Sequence, residues 1–367
     1  GFFIAPVCSQ PAVSQPSSAP VFLRMDDVSC RLGATVAVAN ASLALPRGAR
    51  CVVAGPSGAG KTTLLRMVAG LQAMSSGRLW MEDIDVSAVP PESRSCGWVG
   101  AEPGLIPGLD ALGQVELPLR LAGMAGGERR GRSFHALQTV GLGHRIDHFP
   151  HQLSSGEALR VAIARATVHR PRLLLMDEPF ARVDPVQRLA LRRCVDGLRA
   201  ETGCTVIETS HWLSEALNTA SHMAILRGGR LVQFGDAEAT WRHPCSPWVM
   251  DYLSTIPNWW SPHEARFTRG WHEDAASHPP PGMWLGVRMD LCAWSGTRPE
   301  GACLGPLRAE RFRSAGLVSC VEASFPDGET LAVPCRGEAG VLPGDVGWAR
   351  FGQEAVHGFD MDDRDGG

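Results

Sequence analysis

The residues best equipped for chemistry are Gly55-Pro56-Ser57-Gly58-Ala59-Gly60-Lys61-Thr62-Thr63. They fit the spacing G-x-x-x-x-G-K-[ST] of a loop that cradles phosphate groups. Its glycines let the backbone fold closely and aim N–H groups inward. A helix beginning at the loop adds partial positive charge at the same place. Lys61 is placed to reach the β- and γ-phosphates of a nucleoside triphosphate, and the Thr62 hydroxyl to hold Mg²⁺. Lys61 is also the only lysine in a chain whose Lys+Arg total is 35. A compact ammonium suits a phosphate as a point charge. A second stretch, Leu173-Leu174-Leu175-Met176-Asp177-Glu178-Pro179, ends an apolar run on two carboxylates. In an open α/β sheet, ligands collect at that end of the strands. Asp177 is positioned to hold Mg²⁺ through water, which leaves Glu178 to polarise an attacking water.

The elements that must position these residues follow from hydrophobic pattern. Arg50-Cys51-Val52-Val53-Ala54 reads as a buried strand feeding the loop, and 62–69 as the helix leaving it. The run 173–176 is wholly apolar, as in a parallel strand covered on both faces. Further strands are expected at 21–28, 36–45, 77–81, 97–99, 204–209 and 223–226, with a hairpin turn at Gly228-Gly229. Residues 109–168 are mostly helical in pattern, and 190–200 and 214–220 add helices. Alternating strand and helix around a phosphate loop define an α/β nucleotide-binding domain. Residues 1–20, rich in Ser, Pro and Gln, read as a disordered tail. Residues 257–282 lack a period and read as a linker. From 283 to 367 short strands dominate (285–288, 316–323, 329–333 and 347–351), as in a small β-barrel-like domain.

Composition narrows the class. With 367 residues the chain has room for two cores. Its 44% hydrophobic and 20% charged content is ordinary for a globular protein. A formal net charge of −3 argues against a protein built to hold nucleic acid electrostatically. The 11 cysteines are scattered without a C-x-x-C pair, so neither a zinc site nor a disulfide framework is indicated. His144, His148 and His151 sit in a polar loop with Pro150 between them and read as solvated loop histidines. No apolar run approaches the ~20 residues of a membrane helix, so work at a membrane would go through a partner.

Leu153-Ser154-Ser155-Gly156-Glu157, followed by Arg160-Val161-Ala162-Ile163-Ala164-Arg165-Ala166, resembles the L-S-G-G-[QE] signature and helix of the ATPase subunits of ABC transporters. Ser155 stands where that family carries its first glycine. Other landmarks follow in the family's order: Ala181-Arg182-Val183-Asp184, Glu208-Thr209-Ser210-His211 and the strand-turn-strand 227–235. The resemblance implies a P-loop ABC ATPase domain over 21–256, with a helical subdomain at about 105–168. It implies a head-to-tail dimer, homodimeric or with another ABC ATPase, that sandwiches two ATP molecules with Mg²⁺. Lys61 and Thr62 would hold one ATP; Ser154, Ser155, Gly156 and Glu157 would complete the partner copy's site. His211 would steady the γ-phosphate and the water, and Asp184, in the loop after the carboxylate strand, would count among the ATP-binding residues. The stretch 242–249 and the C-terminal strands resemble importers of sugars, polyamines, ferric iron and sulfate. Those carry an OB-like C-terminal regulatory domain, lie at the cytoplasmic face of the inner membrane, and work with membrane-spanning permeases and, indirectly, a substrate-binding protein.

Two positions depart from the family pattern. Leu32 stands where an aromatic residue stacks on adenine, which implies weakened ATP affinity. Ala101 stands where a glutamine joins Mg²⁺ and the water to the helical subdomain. Glu102, one residue on, reads either as a substitute for that glutamine or as a solvated carboxylate. These departures leave room for an alternative, a nucleotide-gated regulatory or scaffold subunit with weak or no hydrolysis.

Overall fold

A computed structural model describes residues 20–210, 213, 217–254, 259–262, 271–272, 283–287, 289–295, 303–315, 318–325, 330–335, 341, 343–350 and 356–360. Residues 1–19 of the expected tail, His211, and residues 214–216 of the expected helix at 214–220 lie outside them. The chain divides into two compact units, Pro11–Thr240 and a second that includes Trp241–Gly367.

In the first unit, β1 (Val21–Leu32), β2 (Thr35–Pro46), β3 (Arg50–Ala54), α1 (Lys61–Ala69), β4 (Ser76–Met81), β5 (Ile84–Asp85) and β6 (Cys96–Val99) come first. Then follow α2 (Ala111–Leu121), α3 (Gly126–Thr139), α4 (Ser155–Thr167), β7 (Leu173–Met176), α5 (Pro185–Thr202), β8 (Thr205–Thr209), β9 (His222–Arg227) and β10 (Arg230–Asp236). Among the described residues these strands form one sheet in the order β5-β4-β1-β2-β10-β9-β3-β8-β7-β6. Neighbours from β9 through β3, β8 and β7 to β6 are parallel, whereas β1 pairs antiparallel with β2 and β4. The α/β nucleotide-binding architecture expected from the sequence is therefore the one observed.

Every residue of β3, β7 and β8 is buried, and the period of two along a strand decides which face each side chain serves. Leu173, Leu175, Ile207, Cys51 and Val53 join Leu64, Leu65 and Met67 of α1 in one core. Leu174, Met176 and Val206 face the other way, into a second core with α2, α4 and α5. Covering on both faces makes these strands continuous apolar runs. Arg94, itself buried, donates from Nη1 to the carbonyls of Met67 (2.8 Å) and Val68 (3.0 Å) and so satisfies the C-terminal end of α1.

The second unit carries β11 (Trp259–Pro262), β12 (Trp271–His272), β13 (Met283–Val287), β14 (Ala293–Ser295), β15 (Cys303–Ala315), β16 (Val318–Ser324), β17 (Thr330–Pro334), β18 (Val346–Arg350) and β19 (Val356–Asp360). One antiparallel sheet runs β11-β13-β19; another runs β14-β18-β15-β16-β17, with β12 on β15. A separate antiparallel unit thus follows the cassette, as expected. The expected strand at 285–288 falls on β13, which pairs with β19, Leu285 opposite Gly358. β11 and β12 fall inside the stretch read as a linker, because their partners β13 and β15 arrive later in the chain.

Candidate functional site

The phosphate loop occupies the turn from β3 to α1, and its glycines are demanded by space. At Gly60 φ is 99° and a Cβ would sit 2.3 Å from the Ala37 carbonyl oxygen. At Gly55 a Cβ would sit 2.3 Å from that of Leu226. Between them Pro56, Ser57 and Gly58 are exposed and Ala59 is buried. Side chains of Asp110, Ser154 and Asp184 cap α2, α4 and α5 respectively. α1 begins on Gly60 without a side-chain cap, so the loop leaves its first N–H groups for an anion.

Lys61, only 4% exposed, turns back and donates from Nζ to the carbonyl oxygens of Gly55 (2.8 Å) and Pro56 (2.9 Å). Burial pushes its ammonium below the usual lysine range, while Glu178 and Asp177 act in the opposite sense. The Thr62 hydroxyl donates to Asp177 Oδ1 at 3.0 Å, so residues 115 positions apart meet. Thr63 follows on the first turn of α1, half-buried.

β8 lies between the strands that end in the phosphate loop and in the carboxylates. Its last residue, Thr209, bridges the site: its Oγ1 donates to Asp177 Oδ1 (2.9 Å) and accepts from the Glu178 N–H (2.8 Å). The sequence reading did not single out Thr209 for this role, since its meaning depends on a strand order no local pattern states. Glu178 itself holds φ at 49°, a left-handed conformation rare for a residue with a side chain. Such strain persists where neighbours over-determine it.

The fit to a nucleotide rests on this geometry. Glycine positions a Cβ would fill, an uncapped helix start and a lysine held by carbonyls match the demands of phosphate oxygens. Thr62 and Asp177 offer hard oxygen donors side by side, the type Mg²⁺ prefers.

The remaining expected residues lie apart from this cluster or serve local structure. Ser154 caps α4 as half of a capping box: its Oγ accepts from Glu157 N–H (3.3 Å), and Glu157 Oε2 accepts from Ser154 N–H (2.9 Å). That N–H, followed by the Ser154 hydroxyl, holds the Glu157 carboxyl below its usual range, and Arg145 adds to the effect. Ser155 is exposed and Gly156 buried on the first turn, so the signature presents a helix N-terminus. Asp184 caps α5 by accepting from Gln187 N–H at 3.0 Å. Leu32 ends β1 and is 46% exposed.

Ala101 is exposed, and so is Glu102, in keeping with the solvated-carboxylate reading, with a surface ion pair added. Its Oε1 lies 2.8 Å from Arg182 Nη2 in the loop before α5, although both side chains are largely exposed. The next carbonyls, of Pro103 (2.7 Å) and Gly104 (2.8 Å), accept from Arg165 of α4. The stretch is thus tied to the signature helix and to the loop after Glu178 by two arginines far away in sequence. Among the loop histidines, His148 Nε2 lies 2.9 Å from Arg145 Nη1 and His151 stacks on Phe149.

A phosphate loop, a strand-end carboxylate pair and a separate capped signature helix define a nucleotide-binding cassette. Residues 38–181 match the family model for ABC transporters. The chain is 33% identical over 232 residues to a sulfate/thiosulfate import ATP-binding protein, CysA, of Nephroselmis olivacea, covering 63% of this chain and 68% of that one. It belongs to the ABC transporter family of ATP-binding proteins. It is also 36% identical over 234 residues to a spermidine/putrescine import ATP-binding protein, PotA, of Nitrosomonas europaea, covering 64% of this chain and 65% of that one. An Fe(3+) ions import ATP-binding protein, FbpC, of Pseudomonas fluorescens is 38% identical over 229 residues, covering 60% and 63%. The matches thus span less than two thirds of the PotA and FbpC relatives. A dimeric ATP-binding cassette in a post-hydrolysis state, bound to ADP and Pi, superposes with a TM-score of 0.54 at 29% identity, covering 59% of this chain and 98% of that one. A nucleotide-free cassette with 22% identity shares the fold, with a TM-score of 0.58 over 63% of this chain and 98% of that one.

Proposed function

We propose that the chain is the ATP-hydrolysing subunit of an ABC importer. One observation carries this reading: Lys61, Thr62, Asp177, Glu178 and Thr209 converge where adjacent parallel strands end. Lys61 exchanges its two loop carbonyls for phosphate oxygens, and the N-terminal amides of α1 complete the cradle. Thr62 and Asp177 hold Mg²⁺, which when bound neutralises charge on the β- and γ-phosphates. Glu178 accepts the proton of the attacking water, with His211 steadying water and γ-phosphate. Ser154, Ser155, Gly156 and Glu157 serve the ATP held by a second copy, and Asp184, in the loop after the carboxylates, belongs to the ATP-binding set. The dimer drives membrane-spanning permeases, and indirectly a substrate-binding protein, from the cytoplasmic face of the inner membrane. Among the described residues no helix is long and apolar enough to cross a membrane, in keeping with a peripheral subunit.

The domain bounds follow this reading: an ATPase domain at 21–256 with a helical subdomain near 105–168, a linker at 257–282 and a regulatory domain at 283–367. Phosphate release from Mg-ATP by the full chain tests the function. Release that chelation stops supports it; none, with or without co-purified permease, overturns it. Leu32 offers adenine no aromatic face. Leu32→Tyr is expected to tighten ATP binding about fivefold, from ~1 kcal/mol of base stacking. Equilibrium dialysis measures this, and an unchanged or weaker dissociation constant removes Leu32 from the base site.

A further inference from the structure

Between the strands that feed the site and α5 lies a group of charges the proposed chemistry does not use. Arg50 of β3 and Glu208 of β8 are each 0% exposed, and Arg192 of α5 is 1% exposed. Arg50 Nη2 donates to Glu208 Oε2 (2.7 Å), and its Nη1 donates to Asp196 Oδ1 (2.7 Å). Arg192 Nη1 donates to the other Glu208 oxygen, Oε1. The carboxylate of Glu208 is therefore shared between two buried guanidiniums. The satisfaction is incomplete: Arg50 Nε and Arg192 Nε and Nη2 are buried without a hydrogen-bond partner. Burial also lifts the neighbouring Cys51 thiol to about 12, with Glu208 adding to the shift, so Cys51 stays neutral.

Charges removed from water at this depth are a poor source of stability. Apolar residues of similar volume generally stabilise as well or better. Their placement points to another use. Glu208 shares the parity of Val206, which lies in the core with α5, and Arg50 Nη1 donates to the Arg192 carbonyl of α5 (3.4 Å). Thr209, one residue beyond Glu208, faces the opposite side and holds both the Asp177 carboxylate and the Glu178 N–H. Arg192 also lays its guanidinium over the Phe180 ring, 4.6 Å from the centroid. Phe180 is buried two residues after Glu178. The strained Glu178 backbone is thus gripped on both sides: by Thr209 from β8, and through Phe180 by Arg192.

We propose that the buried Arg50–Glu208–Arg192 group is a positioning device for Glu178, locking β8 to α5 and clamping Phe180 so that the left-handed backbone at Glu178 is held. This rests on the reading of Glu178 as the residue that activates water. The three side chains touch neither nucleotide nor water; they act through Thr209 and Phe180.

The test separates positioning from stability. Arg50→Leu, Glu208→Leu and Arg192→Met combined replace the three buried charges with apolar side chains and leave the partly exposed Asp196 facing Arg199. The full-length triple variant is expected to melt at or above the native temperature. Its kcat for Mg-ATP should fall tenfold or more, with KM for ATP within twofold. Native kcat in a folded triple variant overturns the proposal. Should that variant fail to fold, Arg192→Lys decides: it keeps the charge toward Glu208 but loses the planar face on Phe180. Its kcat should drop severalfold at unchanged KM, and an unchanged kcat again overturns the proposal. The native chain is assayed alongside. No native turnover overturns the ATPase reading, and this inference with it; native turnover with unaffected variants overturns this inference alone.

Discussion

Glu178→Gln is expected to lower ATP turnover by about 10²–10⁴-fold, the range a positioned general base contributes, while nucleotide affinity stays within a few-fold. The amide keeps the shape of the side chain, and the backbone contacts that hold φ at 49°, including the N–H to Thr209, are untouched. What disappears is basicity. Asp177, which meets Thr62 and Thr209, remains to hold the metal. Removing the Glu178 charge also removes repulsion toward phosphate, so binding has no reason to weaken. Steady-state phosphate release and equilibrium dialysis with Mg-ATP check the two halves. Retained turnover would remove Glu178 from its role; lost binding would move it to the nucleotide.

Lys61→Ala is expected to raise the ATP dissociation constant by about 10²-fold, since hydrogen bonds to charged groups contribute ~1.5–3 kcal/mol each. The fold should tolerate it. The acceptors released, the carbonyls of Gly55 and Pro56, belong to a loop whose exposed residues run from Pro56 to Gly58, and a buried ammonium is itself expensive. The pH dependence supplies a second signature. Burial lowers the Lys61 pKa in the nucleotide-free chain. Phosphate binds the protonated form, so affinity is full below that lowered pKa and declines as pH rises through it, sooner than an ordinary lysine dictates. Lys61→Ala should flatten that decline. Dialysis across alkaline pH checks both points, and an unchanged dissociation constant at neutral pH would take Lys61 out of the phosphate site.

Both predictions draw on residues recognisable before any coordinates, and the fold shows why. The phosphate loop is written in contiguous residues because its backbone must pass where a Cβ cannot, at Gly55 and Gly60. The apolar run into Asp177 and Glu178 is likewise contiguous, because its strand is covered on both faces. By contrast, β15 escaped the sequence reading. Its register shifts between Leu304 and Leu307 and again between Ala309 and Arg311, which breaks the alternation that marks a strand.

What the sequence determined by itself is the local chemistry: a loop shaped for phosphate, the lysine and threonine beside it, a carboxylate pair at a strand end, and the signature stretch with the helix that follows it. Each is fixed by backbone demands within a few residues. Only the tertiary structure decided which groups meet. Strand order put Thr209 between Asp177 and Glu178, with Asp177 the acceptor that Thr209 shares with Thr62. It brought Arg50, Glu208 and Arg192 together out of water and tied Glu102 to Arg182. Those pairings join separate elements of the cassette, so no period or spacing along the chain encodes them. They exist because a parallel sheet places the ends of distant strands side by side, with one face of each strand turned to α1 and the other to α5.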